Sequence, residues 1–310
     1  MLLLLLIVAG IVLLTLYRAS QHEAAAEREY PPLGEIIEVN GTRVHAWVQG
    51  DGPDLVLIHG SSGNLRDFTF DIASRLAERY RVIALDRPGL GYTERLDSDG
   101  ASIGEQATLL SAAAAQLGAE NPIVLGQSYG GAVALAWGLD RPAAALVLVA
   151  PAANPWTTPL DTYYKITSHP VLGPLATPLI TAWVPDSYVE SSVENVFLPQ
   201  PAPEGYAEYF GTGLTLRRAS IREQALQRAN LLGEITAQSK RYPEITIPVE
   251  IVHGEADDTV GIPVHSEPLL EQVESARLTR LPGIGHMPHH VAQDAVIAAV
   301  DRAAARAGLP

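Results

Sequence analysis

The pentapeptide Gly126-Gln127-Ser128-Tyr129-Gly130 places a serine between two glycines at G-x-S-x-G spacing. Ile123-Val124-Leu125 before it has the character of a buried strand, and Gly131-Ala132-Val133-Ala134-Leu135-Ala136-Trp137 after it that of a helix packed closely on a sheet. A G-x-S-x-G between strand and helix is the pattern of a nucleophile elbow. The turn is so sharp that side chains two residues either side of the serine would collide, and the serine itself takes a strained backbone conformation. A glycine-rich turn carrying a solvated serine is the competing interpretation, and the flanking runs argue against it. A serine hydroxyl needs a base at neutral pH, and imidazole titrates in the right range. The imidazole needs an acceptor on its far nitrogen to fix its tautomer and stabilise its charge. Asp257 and Asp258 lie downstream, followed by His286, which is the chain order expected after such an elbow. Backbone N–H groups of Tyr129, at the helix start, and of Ser61, after His59-Gly60, would form an oxyanion hole.

The elements that must hold these residues alternate. Glu35–Val39 and Arg43–Val48 flank Asn40-Gly41, a type I′ hairpin signal. Leu55–Ile58, Arg81–Asp86, Ile123–Leu125, Ala144–Ala150, Pro248–Val252 and Ala276–Leu281 are short apolar strands, with helices about Asp67–Arg79, Gly104–Leu117, Gly131–Trp137 and Ala292–Ala307. Such alternation predicts an α/β fold, a mostly parallel, doubly wound sheet. From about Asn154 to Tyr242 the rhythm gives way to Pro-broken helical pieces, Leu160–Thr167, Leu175–Val184, Asp186–Phe197, Glu204–Phe210 and Thr215–Lys240, which reads as a helical insertion. In this architecture ligands bind beyond the carboxyl ends of the strands, where Ser61, Ser128, Asp257 and His286 all fall.

The 310 residues are 47% hydrophobic and carry a net charge of −14. That suffices for a large core, and the acidic balance argues against nucleic acid as a partner. There is no cysteine, which excludes disulfides, Cys-zinc sites and a Cys nucleophile. Residues 1–17 are almost wholly Leu, Ile, Val and Ala, with no polar face, and predict a transmembrane anchor or signal segment. A basic n-region is missing, and Arg18, His22 and Glu23 separate the apolar run from Ala24-Ala25-Ala26, so an uncleaved single anchor is preferred over export to the periplasm. The membrane side is open, because Arg18 and Arg28 after the span and an export-type N-terminus point opposite ways. Residues 18–34 read as a linker.

LVLIHGSSGN (55–64), ALDRPGLGYT (84–93), VLGQSYGGAVALAWG (124–138), IVHGEADDTV (251–260) and LPGIGHMPHH (281–290) together resemble the α/β-hydrolase superfamily, over about Glu35 to Gly308. The resemblance implies a core of residues 35–153 and 243–310, with residues 154–242 as a cap. It places the acid at the fourth position of G-x-x-D, Asp257, with Asp258 as fallback. Relatives that dehalogenate alkanes or open epoxides carry a carboxylate where this chain has Ser128, so serine implies acyl chemistry. The expected activity is that of a serine carboxylesterase for small to medium, neutral or apolar esters. Carbon–carbon hydrolysis, acyl transfer or perhydrolysis on the same residues are alternatives, and a non-catalytic ligand receptor is the alternative of another class. No cofactor and no metal are expected: His286-x-x-His289-His290 lacks an obvious acidic third ligand. His59 reads as support for the oxyanion loop, Asp86 with Arg87 as an ion pair or loop anchor, and the insertion's Tyr163, Tyr164, Trp183, Tyr188, Tyr206, Tyr209 and Phe210 as packing more than a substrate box.

Overall fold

The computed structural model describes residues 1–310. Helix α1 (Leu2–Glu29) is followed by the hairpin β1 (Glu35–Val39) and β2 (Thr42–Gln49). Its turn residues Asn40 and Gly41 have φ of 52° and 82°, as a type I′ turn requires. Then come β3 (Asp54–Ile58), α2 (Arg66–Thr69), α3 (Ile72–Leu76), β4 (Arg81–Leu85), α4 (Ile103–Gln116), β5 (Ile123–Gln127), α5 (Tyr129–Asp140) and β6 (Ala145–Val149). An all-helical excursion follows: α6 (Thr162–Ser168), α7 (Leu172–Trp183), α8 (Asp186–Asn195), α9 (Tyr206–Phe210), α10 (Thr212–Thr215) and α11 (Arg218–Gln238). The chain closes with β7 (Val249–Gly254), α12 (Ser266–Gln272), β8 (Ala276–Leu281), α13 (Pro288–Val291) and α14 (Gln293–Arg306).

The strands form one eight-stranded sheet in the order β1-β2-β4-β3-β5-β6-β7-β8. β2 runs antiparallel to both its neighbours, β1 and β4, and all other pairs are parallel. The central strands are buried on both faces, which explains why they read as continuous apolar runs rather than alternating ones. Val56, Ile58, Val124, Leu146 and Leu148 face a core shared with α4 and α5. Leu55, Leu57, Leu125, Val147 and Val149 face a second core shared with α3 and α14. The sheet is thus the middle layer of three.

Two expectations about elements change. The polar stretch after residue 17 is no linker at first, because α1 continues to Glu29. Its Ala, Gln, Glu and Arg residues are strong helix formers, and Thr15, Ala19 and Ala26 are buried against the helical excursion. The helix expected over Asp67–Arg79 is broken at Phe70–Asp71. There the Phe70 ring turns edge-on to Tyr206 and Tyr209 of α9, at 5.4 and 5.6 Å between centroids.

Candidate active site

Ser128 sits between the end of β5 and the first residue of α5, with φ 53° and ψ −116°. Such a conformation costs roughly 1–3 kcal/mol for a residue with a Cβ, and the surroundings hold it. Its N–H donates to Val149 O (2.9 Å), and its carbonyl accepts from Gly131 N (2.9 Å) and Ala152 N (3.0 Å). The glycines are required by contact. A Cβ on Gly126 would lie 2.2 Å from Gly130 O, and one on Gly130 would lie 2.1 Å from Ile58 O.

Asp257 and His286 meet from the loops after β7 and β8. His286 Nδ1 is 2.7 Å from Asp257 Oδ2. Asp257 Oδ1 accepts from the N–H groups of Thr259 (2.9 Å) and Val260 (2.8 Å). Burial by itself would raise the Asp257 carboxyl, but bonds from His253 and His286, the His286 charge and the Val260 N–H outweigh it and hold the carboxyl well below its ordinary range. Asp258 is exposed and takes no part. His253 had no role from sequence: its Nε2 lies 3.1 Å from Asp257 Oδ2 and 2.7 Å from Val260 O, and its Nδ1 lies 2.6 Å from Ser266 Oγ.

The structure brings Ser128 and His286 to the same buried edge, yet no hydrogen bond joins Ser128 Oγ to His286 Nε2. The Gln127 amide stands there instead, with Nε2 3.3 Å from His286 Nε2 and 3.4 Å from His286 O. Bonds of this kind tighten in substrate complexes, so an open apo geometry is compatible with proton transfer. Gln127 lies inside the elbow, but sequence gives no means of telling where its side chain turns.

The loop after β3 passes directly beside the serine: a Cβ on Gly60 would lie 3.3 Å from Ser128 Cβ. Its anchors are buried. His59 Nδ1 donates to Gly60 O (3.0 Å), and its Nε2 accepts from Arg87 N (2.9 Å). Both nitrogens are therefore used by the neutral ring, and burial together with the Arg87 charge pushes its pKa down to about 4. Arg87 Nε donates to His59 O (3.0 Å) and its terminal nitrogens to Gly60 O (2.8 Å), Gln106 and Gln227, while its guanidinium stacks 4.1 Å from the Tyr129 ring centroid. Ser61 N–H has no acceptor within the protein. Tyr129 N–H, first in α5, belongs to the turn whose donors lack intrahelical partners. Above the loop, Gln224 of α11 bonds Ser62 Oγ and, at 3.2 Å, Tyr164 OH of α6.

Asp86 anchors loops, but it does not pair with Arg87. It accepts from Leu65 N (2.7 Å) and Tyr92 N (2.8 Å) and lies 2.6 Å from His45 Nδ1. The acidic partner missing near His289 and His290 is Asp67, far away in sequence. His289 Nε2 lies 3.1 Å from Asp67 Oδ2, His290 Nε2 lies 2.9 Å from Oδ1, and Tyr206 OH donates to Oδ1 at 2.6 Å. These donor atoms fall within 4.8 Å of one another, the spacing of a metal site. Here each imidazole nitrogen facing the carboxylate already bonds one of its oxygens, so the set closes on itself as a hydrogen-bonded knot. Tyr206 and Phe210 are packing residues: Tyr206 meets Phe197 and His290, and Phe210 stacks on Tyr206. Trp183 and Tyr188 are exposed on the outside of the excursion, Trp183 touching α1 through Thr15 and Arg18.

Residues 55–299 match the alpha/beta hydrolase family. Among curated relatives, the polyketide synthase ThaQ of Burkholderia thailandensis is 29% identical over 81% of this chain, which spans only 12% of that protein. Haloalkane dehalogenase 2 of Mycobacterium tuberculosis is 31% identical over 43% of this chain and 46% of its own length. The chain thus spans less than half the length of these relatives. Among solved structures, an esterase from Exiguobacterium antarcticum superposes with a TM-score of 0.67 at 21% identity, covering 87% of this chain and 98% of that one. The family match over most of the chain, together with the sheet order and a serine elbow at the carboxyl edge of the sheet, identifies the chain as a member of the alpha/beta hydrolase family.

Proposed function

We propose that this alpha/beta hydrolase is a serine esterase that cleaves carboxylic esters of small to medium, neutral or apolar substrates through an acyl-enzyme. The observation that carries the reading is the pairing of Asp257 with His286 at 2.7 Å beside a serine held at φ 53°. Ser128 Oγ attacks the ester carbonyl while His286 Nε2 takes its proton. Asp257, kept ionised by its donors, holds His286 Nδ1 as the N–H and stabilises the imidazolium. The N–H groups of Ser61 and Tyr129 receive the developing oxyanion. His286 then protonates the leaving alcohol; it next takes a proton from water, which attacks the acyl carbon, and returning that proton to Ser128 Oγ as the Oγ–acyl bond breaks releases the carboxylic acid. A haloalkane dehalogenase reaction is not proposed, because Ser128 supplies no carboxylate to form an alkyl ester. The excursion from α6 to α11 would act as the cap, closed over the site through Gln224 and Tyr164.

We also propose that α1 is an uncleaved membrane anchor. This helix is long and apolar enough to cross a bilayer. Ala24–Ala26, the one candidate cleavage site, lies within its helical end, where Ala26 is buried and a Cβ on Gly213 would touch its side chain at 3.0 Å. Arg218 also clasps Glu23 at 2.6 Å. Cleavage would strip these contacts from the excursion.

Turnover of short and medium p-nitrophenyl esters by the full chain, beside Ser128→Ala, tests the proposal. Turnover abolished in Ser128→Ala, with unchanged circular dichroism, is expected. Absence of turnover in both would shift the reading to carbon–carbon cleavage or a receptor, and equal turnover in both would remove Ser128 as nucleophile.

A further inference from the structure

Helix α7 is built inside out for a protein surrounded by water. The stretch Pro170–Pro185 contains no charged residue. Its inward face is small and partly polar: Gly173, Thr177, Thr181 and Ala182 are buried. Its outward face is large and apolar, with Leu172, Leu175, Leu179 and Trp183 in one stripe, Leu175 being 65% exposed and Leu179 52%. An amphipathic helix on a soluble protein has the opposite arrangement. A contiguous exposed apolar stripe of this kind marks an interaction surface.

The neighbour of α7 indicates the occupant. Trp183 Nε1 donates to Thr15 Oγ1 of α1 at 3.2 Å, Arg18 Nε donates to Ala182 O at 3.2 Å, and His22 bonds Asp186 at 2.9 Å. All three contacts fall between Thr15 and His22 of α1 and between Ala182 and Asp186. Trp183, at the carboxyl end of the stripe, thus meets Thr15 at the point where the exposed Leu, Ile and Val of the apolar half of α1 begin. At the Trp183 end the Arg18 guanidinium lies 4.3 Å from the ring centroid, and at the Leu172 end Arg222 bonds the Thr167 and His169 carbonyls, so an arginine closes each end of the stripe. Arginine and tryptophan are the side chains that settle at the boundary between hydrocarbon and water.

We propose that the outward face of α7 rests in the lipid bilayer beside α1, so that the helical excursion docks on the membrane through its own surface. The occupant is lipid rather than a second copy of the chain, because the stripe continues an apolar surface that already requires lipid. The inference rests on the membrane reading of α1 and is independent of the ester chemistry.

The absence of cysteine makes the test direct. Leu175→Cys and Leu179→Cys are each labelled with an environment-sensitive fluorophore in the full chain, reconstituted in phosphatidylcholine–phosphatidylglycerol vesicles. Leu5→Cys reports α1. Glu120→Cys, at the opposite end of β5 from the serine, reports water. Nitroxide-bearing lipid is expected to quench the Leu175 and Leu179 labels to at least about half the extent of the Leu5 label, with little quenching by aqueous iodide, the reverse of Glu120. If both labels follow Glu120 while Leu5 is quenched by lipid, the α7 proposal is overturned and the anchor stands. Labels shielded from both quenchers would show a second copy covering the stripe, which also overturns it. A Leu5 label open to iodide would remove the anchor and the proposal together.

Discussion

His265 offers a stability prediction with a calculable size. It packs against Trp156, and its Nδ1 accepts the Asn154 N–H at 3.1 Å. Burial and the nearby charge of His253 push its pKa down to about 4. The native state therefore keeps the ring neutral where an unfolded chain, with an ordinary value near ~6.5, binds a proton. The stabilisation is complete above about pH 6.5, falls by ~1.4 kcal/mol per pH unit below it, and is gone near pH 4, a total of ~3 kcal/mol. His265→Gln removes the titration at the cost of about one hydrogen bond, ~1 kcal/mol. The variant should thus be less stable than the parent at pH 7, equal to it near about pH 5.8, and more stable at pH 4.5. Urea unfolding of both proteins, followed by tryptophan fluorescence at these pH values, measures the crossing. Stability curves that stay parallel from pH 7 to 4.5 would refute the argument, since the imidazole would then titrate alike in both states.

Asp257→Asn should lower kcat on a p-nitrophenyl ester by roughly 10⁴-fold, because an amide no longer selects the His286 tautomer; Asp258→Asn, on an exposed side chain, should leave it within about twofold. Gly130→Ala pushes a Cβ to 2.1 Å from Ile58 O and should destabilise the chain by at least ~2 kcal/mol, read as a lowered urea midpoint. Trp183→Ala removes the Arg18 stacking and the Thr15 hydrogen bond and should cost ~1–2 kcal/mol, seen as earlier protease cleavage near the carboxyl end of α1. His59 carries the same acid sensitivity as His265, so esterase activity should fall irreversibly on holding the protein near pH 4 and survive at pH 7.

Much of the fold was legible because buried parallel strands and the elbow leave local signatures. Ile123–Leu125 and Ala145–Val149 announce themselves as unbroken apolar runs, and Gly126 and Gly130 by the atoms a side chain would hit. The same holds for His286 and Asp257, which follow strands in the expected order. Side-chain partnerships across long sequence distances were not legible. Nothing near His289 suggests Asp67, some 222 residues earlier, and Asp86 next to Arg87 suggests a pair that the loop geometry separates. The end of α1 was misread for another reason: Ala19 to Glu29 is polar enough to be a linker, and only its docking on the excursion makes a long helix of it.

Among the buried aspartates, Asp67, Asp86 and Asp257 repeat one chemistry, a carboxylate held by imidazoles at the carboxyl edge of the sheet. What separates the candidate catalytic group is the second nitrogen of each ring. In His45 it bonds Leu33 O, in His59 Gly60 O, and in His253 Ser266 Oγ. In His289 and His290 it is buried with no partner at all. A ring whose nitrogens are both committed to protein groups, or sealed in the interior, has no proton to exchange with a substrate. Only in His286 is the far nitrogen left to a side-chain amide, that of Gln127 next to the strained serine in sequence, at 3.3 Å. Acid–base capacity here is thus decided less by which residues surround a carboxylate than by which imidazole nitrogen is left for the reaction. Gln127→Ala should on that ground leave esterase activity intact or raise it, and a loss of activity beyond about tenfold would show that the amide positions His286 rather than merely resting against it.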